Sequence, residues 1–361
     1  MSGLPQVDVN IFVYNGAAHV AAAIESVLGQ TWPNLSLTLI DDGSTDGTAD
    51  ILRAATRHPR VRLKRNRCNG GAIANFQRAF WFGDADFVMP KSGDDLLAPD
   101  FVEKTMAVLL ANPACAMCHA GGLVFTEGSD RRSLYPSSHA LHAVGSDPIL
   151  RAQHVMARYT SSPSFWGVYR RHAVDRLAPI RFRAGWDHVL LAELALHGEI
   201  RHVPSALYWR RDGGKPVLTL ARASTEQGTR GIAPDGDLGE HRWRTPLITT
   251  AYAHLEAFAA ARLPEADRLE LMRGAAAIFR ARWLAGMRQE AARLRAELPD
   301  LLGRLAEAES LPGQWIARGL ADAVRAVETI LPDEDFTTIH LEIAALTSEP
   351  RRHADQHVQA A

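Results

Sequence analysis

The first hundred residues alternate between two hydrophobic periods, and that alternation restricts the fold more than any other feature of the chain. Val7–Val13 is a strand-like run, and Ala17–Leu28 sets Val20, Ala23, Ile24, Val27 and Leu28 on one helical face. Leu35–Ile40 returns to strand character, and Ser44 stands where a side-chain oxygen can cap a helix from about Asp46 to Ala55. Val61–Lys64, a helix over Ala72–Phe82, a strand over Asp86–Met89 and a helix opened by Pro99 and reaching Leu110 continue the series. This order predicts an α/β fold, a mostly parallel, doubly wound sheet with helices on both faces.

Sheets of that kind receive ligands beyond the carboxyl ends of their strands. The residues falling there are Tyr14 and Asn15, then Asp41 and Asp42, then Asn66–Gly71, then Asp94 and Asp95. Loops are polar in general, which accounts for scattered Asn and Gly. It accounts less well for two Asp-Asp pairs at two separate strand ends. No G-x-G-x-x-G follows the first strand, which argues against a dinucleotide-dependent dehydrogenase. The turn Tyr14-Asn15-Gly16-Ala17-Ala18 has no Lys or Arg to cradle a triphosphate, which argues against a nucleotidyltransferase.

Residues 112–245 are less regular. Phe165–Arg171 reads as a strand, Trp186–His197 as a helix burying Leu190, Leu191, Leu194 and Ala195, and Ile200–Val203 and Leu207–Arg210 as two short strands. Glu127–Asp147 and Asp212–Arg244 are rich in Gly, Pro, Ser and charge and read as mobile loops over the site. From Pro246 the chain turns to Ala, Leu, Arg and Glu. Leu269, Met272, Ala276, Phe279 and Trp283, and then Leu294, Leu298, Leu301 and Leu305, recur at helical spacing. Pro299, Pro312 and Pro332 are expected to limit those helices, and residues from Glu349 to be a disordered tail. The expected division is a catalytic domain over 1–245, with a nucleotide-binding half (1–110) and an acceptor half (111–245). An α-helical region over 246–348 follows, then the tail 349–361.

Composition narrows the classes further. Forty Lys and Arg against 41 Asp and Glu leave no net field to draw the chain to nucleic acid. No apolar stretch approaches a membrane span, and the first strand is a poor secretory signal because it carries Asp8 and Asn10. The expectation is a cytoplasmic protein, with contact at the inner face of a membrane left open. Three cysteines, Cys68, Cys115 and Cys118, are too few for a disulfide framework, and the Cys115/Cys118 pair reads as small apolar residues of a buried strand.

At Asp41-Asp42-Gly43-Ser44-Thr45-Asp46-Gly47-Thr48 the sequence becomes recognisable. With Tyr14-Asn15, with Ala23–Asn34 and with Gly93-Asp94-Asp95 ahead of Pro99-Asp100, it resembles the family 2 glycosyltransferases. The resemblance is strong over residues 5–110, visible to about residue 212, and absent from the helical C-terminal part. It implies the GT-A fold and inverting transfer of a sugar from a nucleotide diphosphate sugar, UDP-linked by expectation, to an acceptor hydroxyl. The product would belong to a polysaccharide or glycoconjugate, and the acceptor would be a glycan, a lipid-linked sugar or a protein.

The resemblance also assigns residues. Tyr14 and Asp42 would receive the base, one by stacking and one by accepting its N–H. Asp42→Ala is then expected to weaken UDP binding and leave folding intact. Asn15, Asn69 and Asn75 lie where relatives contact the nucleotide. Asp94 and Asp95 would hold a divalent metal, Mn2+ or Mg2+, against the diphosphate, with Asp94 also counted in the donor site. Ser92 replaces the first Asp of the common form, and Lys91 could supply part of the missing charge. Arg210 and Arg211, with Lys215, would approach the phosphates, although the family's His and Ser after the Arg are replaced by Asp212 and a Gly pair. Asp187, opening a helix, matches the family's general base, with His188 a competing base and Glu193 a structural residue. The alternatives are a nucleotide-sugar-binding protein without catalysis and, more remotely, a nucleotidyltransferase. Self-association through the C-terminal helices is a further expectation.

Overall fold

The computed structural model describes residues 3–126, 132–134, 140–159, 162–180, 185–212, 246–307 and 324–331. Residues 127–131 and 135–139 of the first mobile-loop segment and 213–244 of the second, Lys215 among them, together with Arg183, Pro312, Pro332 and the tail from Glu349, lie outside the described residues.

The predicted alternation is observed. The elements are β1 (Val7–Val13), α1 (Val20–Leu28), β2 (Leu35–Asp41), α2 (Thr48–Ala55), β3 (Val61–Arg65), α3 (Ala72–Trp81) and β4 (Phe87–Ser92), then β5 (Leu96–Leu97) and α4 (Phe101–Ala111). Strands β1, β2, β3 and β4 are parallel, in the order β3-β2-β1-β4. The second half adds β6 (Cys115–Phe125), β7 (Arg132–Leu134), α5 (Pro148–Arg158), β8 (Gly167–Arg170), α6 (Arg171–Val174), α7 (Trp186–His197) and β9 (Glu199–Arg211). These strands extend the same sheet as β4-β8-β6-β9-β5, with β7 on β6, and mix antiparallel with parallel pairs. Val7, Val9, Ile11, Leu37 and Leu39, on one face of β1 and β2, have no solvent exposure, and the other face is covered as well, with Asp8, Asn10, Thr38 and Ile40 buried.

Several elements differ from the sequence reading, each for a physical reason. Ser44 does not cap α2. Helix α2 starts two residues later than expected, at Thr48 behind Gly47, Asp46 accepts the Thr48 N–H at 2.9 Å, and Ser44 Oγ instead accepts the Asn15 N–H at 3.0 Å. The two short strands at Ile200–Val203 and Leu207–Arg210 are one strand, β9, broken only in register, with Ala120 opposite Val203 and Gly121 opposite Leu207. Strand β6 carries Cys115 and Cys118, both buried as expected, and burial raises the Cys115 thiol to about 11. Helix α5 fell within or beside a segment read as loop; Asp147 caps it by accepting from Ile149 and Leu150. Arg132–Leu134, also read as loop, is a strand.

The C-terminal helices are α8 (Pro246–Ala259) and α9 (Glu265–Glu307), followed by a helical turn over 324–330. Pro299 does not end α9, which continues through it with the loss of one backbone hydrogen bond. The expected apolar stripe is observed at Phe279 and Leu294, with Met272 and Trp283 packed against the core, and it departs from expectation at Leu269. Leu271, Ala275, Phe279, Met287, Ala291 and Leu294 are buried, whereas Leu269 is 45% exposed. That stripe is covered by the chain itself: α9 packs on α8 and α5, and α8 packs on α7. No helix among the described residues is long and apolar enough to cross a membrane.

Candidate active site

The carboxyl ends of the first four strands are laced together by backbone hydrogen bonds. Asp42 N donates to Val13 O (2.9 Å), Asn66 N to Asp41 O (2.8 Å) and Gly93 N to Phe12 O (3.0 Å). This draws the four polar segments expected at the strand ends to one edge. Asn15 sits there in the left-handed region at φ 49, a conformation its short amide side chain tolerates, and its Oδ1 accepts the Thr45 N–H at 2.8 Å. The β1–α1 and β2–α2 turns are thereby joined. Tyr14, beside Asn15, is 39% exposed, the state a ring needs to receive a flat ligand.

Asp42 is 1% exposed and is the hub of a polar network. Its Oδ1 accepts from Asn66 Nδ2 (2.7 Å) and Gly70 N (2.9 Å), and its Oδ2 from Gly71 N (3.0 Å) and, in a shared bond, Gly70 N (3.0 Å). Asn75 extends the network, accepting from Asn66 at 2.9 Å and donating to Gly71 O at 3.0 Å, while Asn69 Oδ1 accepts from Gly71 N at 2.8 Å. Asp41 is engaged as well, accepting the Ser44 N–H and pairing with Arg65 at 3.0 Å. Gly43, at φ 74, is required here, since a Cβ would lie 2.9 Å from the Cys68 carbonyl carbon. Asp42 therefore shapes the 66–71 loop, a structural duty that its place at a strand end did not announce. Each oxygen accepts two contacts, with the Gly70 N–H shared between them.

The Asp94-Asp95 pair divides into one open and one engaged carboxylate. Asp95 is 7% exposed and accepts the Tyr208 hydroxyl at 2.8 Å and the Arg211 N–H at 2.9 Å; its burial raises its carboxyl above the ordinary range. Asp94 faces solvent, and its carbonyl receives Arg211 Nε at 3.0 Å. Arg211, stacked at 4.8 Å over Phe125, is thus tied to the loop itself, with Arg210 preceding it at the end of β9. Lys91 lies beneath the Asp94-Asp95 loop. It is fully buried, its ammonium donates to the Ser92 and Asp95 carbonyls, and burial lowers it to about 8. Among the described residues no three His, Cys, Asp or Glu gather to enclose a metal.

Asp187 lies on the first turn of α7, half-buried, with Tyr159 Oη donating to its Oδ2 at 2.6 Å. Burial raises its carboxyl, and the Tyr159 hydrogen bond pulls it back down. An aromatic wall connects it to the other carboxylates. Trp186 meets Phe165 at 5.5 Å, Phe165 meets Trp166 at 4.2 Å, and Trp166 stacks on Tyr208 at 5.5 Å, whose hydroxyl holds Asp95. His188 points away from this wall. Its Nδ1 lies 2.9 Å from His254 Nε2 of α8, among Tyr159, Phe279 and Trp283, and burial drives it far below its ordinary value. It is a packing residue, not a competing base. Glu193 is structural as expected: it accepts the Ala178 N–H at 2.9 Å, and burial raises it to about 7. Sequence reasoning missed Tyr159, Phe165, Trp166 and Tyr208. The only signal was their aromatic character in a chain with few aromatics, and nothing in their spacing joins them.

With this geometry in hand, comparison with known proteins gives the class. Residues 8–159 match the Glycosyl transferase family 2. The putative glycosyltransferase EpsE of Bacillus subtilis is 34% identical over 129 residues, 35% of this chain and 46% of that one. An uncharacterized glycosyltransferase of Nostoc sp. is 24% identical over 238 residues, 63% of this chain and 71% of its own. The chain thus spans about half the length of the first of these relatives. Among solved structures, S. aureus TarS 1-349 aligns over 90% of this chain and 82% of its own, with a TM-score of 0.56 at 16% identity, and is also known in complex with UDP-GlcNAc. The fold is GT-A, and residues 8–159 are the part that matches a family 2 glycosyltransferase domain.

Proposed function

We propose that this protein is an inverting glycosyltransferase that moves a sugar from a UDP-sugar to an acceptor hydroxyl. The observation that carries the reading is the division of carboxylates along one aromatic wall: Asp94 and Asp95 at one end, and Asp187, held by Tyr159, at the other. Direct displacement needs a base beside the acceptor and charge neutralisation beside the leaving group, and no third carboxylate is needed beneath the sugar.

The base of the nucleotide rests between the Tyr14 ring and the 66–71 loop, and its N–H is received by Asp42 in place of part of the Gly70 bond shared between the two oxygens. Asn15, Asn69 and Asn75 hold the walls of that pocket. A divalent ion, when bound, neutralises charge on the departing diphosphate. Its donors would be the open Asp94 carboxylate, the diphosphate oxygens and water, a set that suits Mg2+ or Mn2+, which commonly take only one or two protein carboxylates. Asp95, engaged by Tyr208 and Arg211, orients the loop that presents Asp94. Asp187 accepts the proton of the acceptor hydroxyl as its oxygen bonds to the anomeric carbon and the bond to the diphosphate breaks. Residues 1–245 form the catalytic unit in this reading. That TarS is known with UDP-GlcNAc supports a uridine donor. Thermal-shift titration with UDP-, GDP- and dTDP-sugars, with Mn2+ and with EDTA, tests it. A cognate donor at a hundred times its dissociation constant adds roughly 2.7 kcal/mol of stability. Preference for another base, or no shift with any, would end the assignment.

A further inference from the structure

Among the described residues the C-terminal helices pack on α5 and α7, and beside Asp187 that packing includes polar contacts aimed at backbone groups. Tyr159 is the residue that ends α5, with its N–H on Val155 O at 2.8 Å, and is 4% exposed. Its hydroxyl is the side-chain donor on Asp187 Oδ2. The last carbonyls of a helix have no partner within it. Here Arg282 of α9 supplies one: its Nη1 donates to Met156 O and its Nη2 to Tyr159 O at 3.0 Å. A guanidinium at this end also complements the helix dipole. Arg282 is itself fixed, stacked at 4.9 Å on Trp283, whose ring lies against Phe279.

Helix α8 fixes the other side of Asp187. Gly185, at φ 69 just ahead of α7, is pressed against Thr250, where a Cβ would come 2.2 Å from Oγ1. Next along, His254 Nδ1 faces the Thr250 carbonyl at 2.7 Å and must donate to it. Its Nε2 therefore accepts, and His188 Nδ1 donates across the 2.9 Å contact. Both rings are then neutral, in single tautomers, as burial requires. The remaining titratable neighbour is Tyr169 of β8, whose hydroxyl is turned to Phe165 O.

We propose that Tyr159 is the positioning residue of Asp187 and that α9 holds Tyr159 in place through Arg282, which makes the C-terminal helices part of the catalytic apparatus. The inference rests on the reading of Asp187 as the general base. The contacts explain why a segment outside the matched family domain is packed on α5 and α7 in particular. They also explain why the side-chain donor on a half-buried carboxylate comes from a helix end whose backbone is clamped.

The test measures UDP release from the UDP-sugar that the full chain hydrolyses fastest in Mn2+, water serving as acceptor, across pH. Tyr159→Phe removes one hydroxyl and leaves the ring. The expected result is a kcat lower by about 10- to 100-fold with donor KM little changed, since misplacing a reacting group by about 1 Å can cost that much. The acid limb of the kcat profile should also move up by about one pH unit, because a donor to the carboxylate form is gone. A loss of packing alone would lower activity without moving that limb. Arg282→Gln should reproduce both changes, and Arg282→Lys, which can serve one of the two carbonyls, should recover part of each. If Asp187→Asn abolishes release while Tyr159→Phe keeps the wild-type rate and limb, the positioning role is wrong and the base assignment stands. Wild-type behaviour in Arg282→Gln would remove α9 from the proposal. Wild-type release by Asp187→Asn would overturn the base reading and this inference with it.

Discussion

Replacing Asp42 by alanine should destabilise the fold as well as weaken nucleotide binding. The carboxylate is buried, and three hydrogens of the 66–71 loop converge on it. One of the donors has a second acceptor in place: Gly71 N has Asn69 Oδ1, whereas Asn75 Oδ1 already takes the other Asn66 Nδ2 hydrogen. Gly70 N and one Asn66 Nδ2 hydrogen have only Asp42, so alanine leaves two half-buried donors without their charged acceptor, at about 1–3 kcal/mol together, and removes a third bond that Asn69 partly replaces. The Arg78 contact, at 4.0 Å to a half-exposed guanidinium, adds little. The total is roughly 2–4 kcal/mol, which for a chain of this size lowers the melting temperature by about 4–8 °C. Differential scanning calorimetry on the free proteins measures this without any ligand. As a control, Asp94→Ala alters an exposed side chain and should stay within about 0.5 kcal/mol of wild type. Coincident melting curves for Asp42→Ala and wild type would refute the hub assignment and return Asp42 to a purely ligand-binding role.

Other expectations follow from the same contacts. Asp94→Asn should reduce the Mn2+-dependent part of UDP binding, whereas Asp95→Asn should lower stability too, since Tyr208 and Arg211 lose a charged acceptor; calorimetric titration equal in Mn2+ and EDTA would remove the metal from the account. Glu290 of α9, buried, accepts the Leu247 and Ile248 N–H groups at the start of α8, and burial raises it from 4.5 to about 7. The folded state therefore holds a proton that the unfolded state releases in that window. The stability attributable to Glu290 should fall as pH rises through it, with a slope of up to about 1.4 kcal/mol per unit. Denaturant unfolding of wild type and Glu290→Gln at several pH values should show their difference drifting in that direction, and a constant difference would refute it. Cutting the chain before Pro246 uncovers the faces of α5 and α7 that α8 and α9 now bury, so the fragment should aggregate, as light scattering would report; a soluble, active fragment would contradict the packing argument.

The parallel half of the sheet was legible because its strands and helices keep clean hydrophobic periods, so β1, β2, β3 and α7 fall within a residue or so of their expected places or on them. Element starts were less legible where competing polar partners decide them. Ser44 has the chemistry of a cap, but Asn15 claims its hydroxyl from a turn twenty-nine residues earlier in the chain. The C-terminal stripe was legible at Phe279 and Leu294 but not at its start, because Ala, Leu and Arg suit several faces of a long helix and only the approach of α5 and α8 selects Leu271 and Ala275 over Leu269. The strand-end carboxylates could be found from sequence because each belongs to a local motif. Tyr159 and Tyr208 could not, since each acts on an aspartate through a contact that only the folded chain makes, 28 and 113 residues away.

Asp187→Asn keeps the shape of the side chain and removes its basicity, and two quantities read on one sample of this variant test the central claim. The first is donor binding, by titration with the cognate UDP-sugar in Mn2+. The second is UDP release at saturating donor. The account predicts binding close to wild type, because Asp187 stands at the far end of the aromatic wall from Asp94 and Asp95, and release reduced by about 10²- to 10⁴-fold, the usual cost of losing a positioned base. Release at the wild-type rate with binding intact would show that the proton goes elsewhere and that Asp187 is not the base.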